Sequence, residues 1–276
     1  ASELAKLGVI LTLARLFHTR RERVAGGGEP DAGPYGLKQL IIPALVVFVP
    51  SALIIIQPDL GTTLLILLVG LTMVIYEGVN KKTVAFLLVI GFVGAPIAWK
   101  YGGIQEYQKN RVRLWINADW FKLDPDTGVK LGDCSLQSEQ AICAIGSGQF
   151  WGKGGQSEAE TYLKHLPEMH TDMIVAAFAA ERGFTGMTIL LLLFWLVVVW
   201  GLRTAHDARD RFCRLVAVGV ASMIGLQVFV NVGMVAGLLP VVGLPLPIMS
   251  YGGSAFVTTL FGLGLVFNVA SRRGRL

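Results

Sequence analysis

The chain has 276 residues, of which 53% are hydrophobic and only 16% charged, and it carries a net charge of +5. This composition excludes an ordinary soluble domain. Apolar stretches near the ~20 residues that cross a bilayer recur along the chain. They occupy residues 4–17, 37–56, 60–76, 84–99, 173–200, 215–235 and 248–270. The pattern predicts an all-α, polytopic helical membrane protein with about seven membrane helices, arranged as a single membrane domain over residues 1–276.

The first apolar stretch is short, and the chain opens in mid-pattern without an initiator methionine. We therefore expect a fragment whose earlier membrane helices are absent, with no signal peptide at its start.

Basic residues are concentrated in the segments on one side of the predicted helices. They are Arg15, Arg20, Arg21, Arg23, Lys38, Lys81, Lys82, Arg203, Arg209, Arg211, Arg214, Arg272, Arg273 and Arg275. The short connections on the other side, residues 57–59 and 237–247, carry none. By the positive-inside rule the basic side faces the cytoplasm, and residues 100–171 form a large external loop. The positive charge then indicates orientation and contact with the lipid bilayer, and no nucleic acid is expected as a partner.

The external loop is too long to be a simple connection, and loops of this length are usually functional. Residues 137–145 have small and apolar residues at helical spacing, which predicts a short amphipathic helix at the membrane surface. A glycine-rich stretch with Lys153 follows, at residues 146–155. It either cradles an anion through its backbone N–H groups or is a plain flexible loop.

Acidic and histidine side chains gather at the end of this loop, where Glu168, His170 and Asp172 precede a long apolar run. Asp172 comes 31 residues before Arg203, a helical length of about 46 Å. This exceeds the ~30 Å hydrocarbon core and places Asp172 at the external rim. Asp172 is either a helix N-terminal carboxylate with Thr171 as cap or a general base whose pKa is raised by apolar surroundings.

Glu3 and Lys6 share a helix face at i, i+3 and can pair within the membrane. Such an intramembrane pair is either functional or a structural salt bridge. Two further segments, residues 57–62 and 231–254, combine proline and glycine at external helix mouths. Both are interpreted first as structural, with pocket lining as the alternative.

Together these motifs resemble the SEDS family (shape, elongation, division and sporulation proteins), and its elongation members more than its division members. The resemblance rests on residues 2–6, 57–62, 107–112, 144–148, 152–154, 166–172, 231–243 and 250–254. It implies a ten-helix membrane protein of which this chain holds roughly the last three quarters.

The resemblance also implies an activity, a peptidoglycan glycosyltransferase that polymerises lipid II on the periplasmic face of the bacterial cytoplasmic membrane. The essential aspartate of the family falls on Asp172, and its acidic and basic pair falls on Glu3 and Lys6. The implied partners are lipid II, a class B penicillin-binding protein with transpeptidase activity, and other membrane proteins of the elongation complex.

The chain departs from the family pattern at four places. Gln149 stands where glycine is usual, and residues 155–164 lack the usual Gly-Thr-Gln-Ser run. Residues 180–182 replace two glutamates followed by an apolar residue, and Ala255 replaces a serine. These differences concern contacts with sugar and peptide.

In the expected mechanism Asp172 removes the proton from the acceptor 4-hydroxyl, and cations stabilise the departing lipid pyrophosphate. The candidate cations are Lys6, Arg111 and Lys153. The remaining candidate substrate-binding residues are Glu3, Glu168, His170, Ser250 and Tyr251. No metal-ligand spacing is seen among the cysteines, and the sequence identifies no cofactor with certainty. Mg²⁺ or Mn²⁺ held with Glu168 or His170 is an alternative source of positive charge.

Two other functions fit the composition. A flippase or transporter for the same lipid-linked precursor would carry inverted repeats and charged midplane sites, whereas no repeat is evident and the reactive residues lie at the outer rim. A non-catalytic scaffold would instead recruit the transpeptidase without making glycan.

Overall fold

The structure is a computed structural model that describes residues 2–26, 37–57, 59–79, 83, 112, 115, 137–154 and 171–272. Every regular element in these ranges is helical, which confirms the all-α prediction. The elements are α1 (Ser2–Gly26), a short 3₁₀ helix (Leu37–Leu40), α2 (Ile41–Ile56), α3 (Leu60–Glu77), α4 (Gln137–Ser147), α5 (Ile174–Asp207), α6 (Arg211–Val235) and α7 (Gly253–Arg272).

Four of these helices, α3, α5, α6 and α7, are long and apolar enough to cross a membrane, and α2 is a shorter apolar helix of 16 residues. The predicted stretch at 84–99 lies outside the described residues. The total of seven membrane helices, and their grouping as one domain with an external loop at 100–171, therefore stay predictions.

Most predicted helix boundaries agree with the structure within a few residues, and the amphipathic helix expected at 137–145 is α4. Two predicted ends are too early, because α1 continues from residue 17 to Gly26 and α5 continues from residue 200 to Asp207. The predicted start of the last helix is wrong, because α7 begins at Gly253 and not at Ile248. Ile248 has φ +68°, in the left-handed region, which a helix does not accommodate. Pro245 and Pro247 just before it also disfavour helix. The apolar run therefore continues through residues that form a loop.

The chain divides into two compact units. The first combines α1, α2, α3, the part of α5 from Phe194, α6 up to Val228, and α7. Within it α1 packs against α2, α3 and α7, and Ile10, Leu13 and Phe17 of α1 are fully buried. A Cβ placed on Gly219 of α6 would lie 3.0 Å from the sulfur of Met73 in α3. Small residues at such crossings let membrane helices approach closely.

The second unit contains α4, the start of α5, the last turns of α6 and the loop after α6. Residues 236–251, here called the return loop, begin with a helix stop at Gly237, whose φ is +77°. The N–H of Gly237 donates to Met234 O at 3.2 Å, and the N–H of Leu238 donates to Gly233 O at 2.8 Å. This is a Schellman arrangement, which ends α6 and turns the chain back along it.

Candidate active site

The glycine loop, residues 148–154, forms main-chain hydrogen bonds with α5 where that helix is interrupted. The helix is interrupted at Gly183, which has φ +65° and ψ −167°. At this interruption the N–H of Phe184 donates to Gln149 O at 2.9 Å. The N–H of Thr185 likewise donates to Phe150 O at 3.1 Å. The loop therefore supplies acceptors for helical N–H groups at the break.

The same loop also supplies donors. The N–H of Lys153 donates to Ala180 O at 3.2 Å, and the N–H of Gly154 donates to Glu181 O at 3.1 Å. Main-chain groups away from water need such partners. Because these two N–H groups are bound to α5, they are not available to cradle an anion. The loop is part of the α5 hydrogen-bond ladder and so is not a plain flexible connection, whereas anion binding by its other N–H groups stays a prediction.

Three glycines make this close approach possible. A Cβ on Gly148 would collide with the carbonyl of Ala179, and one on Gly152 would collide with the carbonyl of Glu181. A Cβ on Gly183 would collide with the main chain of Gly152 in turn. Gly152 and Gly183 also have positive φ, which other residues adopt at a cost.

Gln149, which stands where the family pattern has glycine, has a backbone conformation that favours glycine. It follows the end of α4 with φ +47°, in the left-handed region. Glycine adopts this conformation without strain, whereas a residue with a Cβ incurs roughly 1–2 kcal/mol. The usual glycine thus fits the backbone better than the glutamine found here.

Lys153 is carried on this seated loop beside exposed aromatic side chains. Phe150 and Trp151 are 54% and 79% exposed, and Phe150 stacks on Phe184 with ring centroids 5.8 Å apart. Exposed aromatic side chains of this kind are enriched at membrane–water interfaces. The loop therefore carries a lysine within three residues of two exposed aromatic side chains, and a substrate-binding role for Lys153 stays a prediction.

Asp172 lies in a turn two residues before α5 begins and is half-buried. Its carbonyl accepts a hydrogen bond from Asn231 Nδ2 at 3.0 Å, and the same nitrogen donates to Leu244 O at 2.6 Å. A Cβ on Gly243 would lie 3.2 Å from Asp172 Oδ2. The candidate base is therefore framed by α6 and by the return loop. The sequence indicated Asn231 only as part of a structural segment.

Ser250 and Tyr251 close the return loop. Ser250 is buried, its Oγ accepts the N–H of Leu246 at 2.7 Å, and its own N–H donates to Leu246 O at 3.1 Å. This reciprocal pair gives Ser250 a structural role, in agreement with the first interpretation of residues 231–254. Tyr251 is 83% exposed and accessible to a ligand. Substrate contacts by both residues stay predictions.

Glu3 and Lys6 form the ion pair that their spacing predicts. Lys6 Nζ lies 2.6 Å from Glu3 Oε2, and Lys6 is only 3% exposed. The pair belongs to the first unit, where α1 is largely buried. Its contact with substrate stays a prediction.

A second buried ion pair in the first unit was not foreseen from the sequence. Arg211 Nη2 lies 2.7 Å from Glu77 Oε1, and Arg211 Nε donates to Glu77 Oε2 at 3.1 Å. The Glu77 side chain is 2% exposed at the end of α3, and Arg211 opens α6. Each charge is disfavoured by the dipole of its own helix, so each residue compensates the other. Residues 134 positions apart give no sequence signal for such a pair.

Three candidate residues, Arg111, Glu168 and His170, lie outside the described residues. Within the residues that the structure does describe, no cluster of three His, Cys, Asp or Glu could hold a metal. Two cavities of about 910 and 880 Å³ lie in the first unit, and none of the candidate site residues lines either of them.

Comparison with known proteins identifies the family. The chain belongs to the FtsW/RodA/SpoVE family of cell cycle proteins, whose pattern it matches over residues 1–274. It is 37% identical to peptidoglycan glycosyltransferase MrdB of Escherichia coli K12, covering 100% of this chain and 69% of MrdB. It is 35% identical to stage V sporulation protein E of Bacillus subtilis, covering 98% of this chain and 68% of that protein. A probable peptidoglycan glycosyltransferase FtsW of Geobacter sulfurreducens is 32% identical, with 98% and 67% covered.

Solved structures of the family share the fold. A chain from a peptidoglycan synthase complex, described for its coordination of polymerization and crosslinking, has a TM-score of 0.73 and 29% identity, covering 100% of this chain and 70% of that one. The rod shape determining protein RodA of Thermus thermophilus, as an aspartate-to-alanine mutant, has a TM-score of 0.63 and 28% identity, covering 99% and 66%. These similarities confirm the SEDS resemblance and an integral membrane protein.

Proposed function

We propose that this protein is a peptidoglycan glycosyltransferase that polymerises lipid II into glycan strands during cell elongation. The observation that carries the proposal is the 37% identity to MrdB across the whole chain. The framing of Asp172 by Asn231 and Gly243 adds a local reason, since a catalytic carboxylate must be held in a fixed position.

The proposed chemistry is a single displacement. Asp172 takes the proton from the 4-hydroxyl of the acceptor sugar as that oxygen bonds to the anomeric carbon of the donor. The bond from that carbon to the pyrophosphate oxygen breaks, and undecaprenyl pyrophosphate leaves with the electron pair. The base must lie within hydrogen-bond distance of the hydroxyl proton in the bound complex.

The leaving pyrophosphate gains negative charge, so nearby cations lower the energy of the transition state. Lys6, Arg111 and Lys153 are the proposed cations. A Mg²⁺ or Mn²⁺ ion held with Glu168 or His170 is a further proposal, which polymerisation in the presence of a chelator would test.

The proposal puts the active site on the outer face of the membrane. The basic segments predict a cytoplasmic face for the start of α6, which follows α5 after three residues. The 34 residues of α5 are enough to cross the membrane, which supports an outer position for its beginning, next to Asp172.

The proposed partner is a class B penicillin-binding protein with transpeptidase activity. Of the most apolar 18 residues of α5 only 11% are buried, whereas 72% of the corresponding residues of α6 are buried. Large side chains such as Ile189, Leu193 and Trp195 are at least half exposed on α5. An apolar face of this size fits lipid and the membrane helix of such a partner.

The decisive experiment is polymerisation of purified lipid II by the full-length protein together with its transpeptidase. Asp172→Asn and Asp172→Ala are expected to abolish glycan strands while leaving membrane insertion and thermal stability intact. Asp207→Asn is the matched control, because Asp207 ends the same helix and lies on the predicted cytoplasmic side. It should polymerise normally.

Glycan strands of normal length from either Asp172 variant would overturn the general-base assignment. Flipping of lipid II across vesicles by a protein that makes no glycan would favour a transporter. Rescue of growth by an inactive variant that still binds the transpeptidase would favour a scaffold.

A further inference from the structure

The side chain of Asn231 faces two acceptors and no donor among its hydrogen-bond partners. Its Nδ2 donates to the carbonyl oxygens of Asp172 and Leu244, at 3.0 and 2.6 Å. Main-chain carbonyls only accept, so the amide nitrogen and not the amide oxygen must face them. The orientation of this side chain therefore follows from the chemistry of its surroundings.

Packing alone does not account for an amide at this position. Asn231 is 0% exposed, and its Oδ1 has no hydrogen-bond partner among the described atoms. A buried acceptor without a partner costs free energy that an apolar residue of the same size would avoid. The two donated hydrogen bonds are what the amide contributes.

These two hydrogen bonds join Asn231 to two segments, the turn that carries the candidate base and the return loop. The first fixes the peptide group that follows the Cα of Asp172, and so restrains the direction in which its carboxylate leaves the main chain. The second holds the return loop at Leu244, directly after Gly243. Gly243 has φ +73°, and a Cβ placed on it would lie 3.2 Å from Asp172 Oδ2.

We propose that Asn231 is a positioning residue for the proposed reaction, which sets the main chain of Asp172 and holds Gly243 beside its carboxylate. This inference rests on the proposed function of Asp172 as general base. A displacement of a catalytic group by about 1 Å can cost roughly a hundredfold in rate. Loss of the two hydrogen bonds should therefore lower turnover more than it lowers lipid II binding.

The first test replaces the amide by an apolar side chain of the same size, Asn231→Leu, in the full-length protein with its transpeptidase. We expect kcat for lipid II polymerisation to fall by about ten- to a hundredfold, with KM changed by less than about threefold. Gln227→Leu is the matched control, since Gln227 is another buried amide one turn earlier on α6, 1% exposed. Its kcat should stay at the parent value even if thermal stability changes.

The second test asks whether Asn231 lies beside Asp172 in the working enzyme. Asn231→Asp has the same shape, but its buried carboxyl faces two carbonyl acceptors, keeps its proton and can donate to only one of them. The freed main chain should change the surroundings of Asp172, so the acid limb of the pH profile of kcat/KM should move. Gly243→Ala, which approaches the carboxylate from the return loop, should move the same limb without touching Asn231.

The outcomes separate the inference from the function on which it depends. Full activity of Asp172→Asn overturns the general base and this inference with it. An inactive Asp172→Asn together with parental kcat in Asn231→Leu overturns only the positioning role, as does an equal loss of kcat in Gln227→Leu. If Asn231→Leu does not fold, an unchanged acid limb in both Asn231→Asp and Gly243→Ala overturns it.

Discussion

The two compact units satisfy their buried polar groups in different ways. In the first unit, charges are neutralised by opposite side chains, as in the pairs Glu77–Arg211 and Glu3–Lys6. In the second, main-chain N–H and C=O groups of a loop and a broken helix satisfy one another, and the amide of Asn231 joins two carbonyls. A side-chain ion pair depends on charge, so both residues can be replaced together by apolar ones. The main-chain hydrogen bonds between the glycine loop and α5 depend on glycines that let the two segments approach, so no such paired replacement exists for them.

The largest expected effect comes from breaking one side-chain pair. Arg211→Ala leaves the buried carboxylate of Glu77 without its guanidinium, which should lower the free energy of unfolding by about 3–5 kcal/mol. Thermal unfolding of the purified protein in detergent measures the loss.

Replacing both partners, as Glu77→Leu with Arg211→Met, should recover most of that stability, because no buried charge remains. Asp207→Asn alters a contact with His206, whose side chain is 89% exposed and charged only when protonated, and should change the free energy of unfolding much less. Equal unfolding temperatures for Arg211→Ala and the parent would contradict the importance of the pair.

The hydrogen bonds between the glycine loop and α5 should be disrupted by a single added methyl group, with a loss of stability nearly as large. Gly183→Ala combines a positive φ with a Cβ that collides with the main chain of Gly152, and should cost about 3 kcal/mol. The readout is again the unfolding temperature. Gly264→Ala on α7 is the control, since its new Cβ meets nothing within 4 Å. A similar, small effect for both variants would show that the loop is not seated on α5.

A smaller loss of stability is expected where a side chain accepts a hydrogen bond from the main chain. Ser250→Ala removes the acceptor for the buried N–H of Leu246, which should cost about 1–3 kcal/mol. Tyr251→Phe, next to it and exposed, should alter stability by less than about 0.5 kcal/mol. Lower lipid II affinity in Tyr251→Phe at unchanged stability would support its substrate role, whereas an unaltered unfolding temperature in Ser250→Ala would exclude the structural role described for Ser250.

The smallest expected change is an increase in stability. Gln149→Gly removes the strain of a left-handed residue and should raise stability by about 0.5–1 kcal/mol, after the entropy cost of glycine is counted. Gln149→Ala keeps a Cβ at the same φ and should bring no gain. A fall in the unfolding temperature of Gln149→Gly would mean that the glutamine side chain makes a compensating contact.

Much of the fold could be predicted because hydrophobic length and helix-ending residues are local signals. The sequence placed the start of the fifth helix within one residue, since Pro167 and the polar residues after it stop the apolar pattern. It also found the pair Glu3–Lys6, because i, i+3 neighbours share a helix face. It failed at Ile248, where apolar composition continues but the backbone has a positive φ.

The rest of the site could not be predicted because its interactions join residues that are far apart in the sequence. The glycines of residues 148–154 indicated a special backbone, but only the structure shows that their partner is the break at Gly183. Asn231 is 59 residues from Asp172, and nothing in either residue type indicates their hydrogen bond.

The seating of the glycine loop on α5 also fixes how many residues that loop can contain. Residues 149–150 bind residues 184–185, and residues 153–154 bind residues 180–181, so only two positions separate the two pairings. Inserting or deleting a single residue between them would put one pairing out of register and leave its helical groups without partners. Relatives that share this arrangement should therefore vary in composition here but not in length.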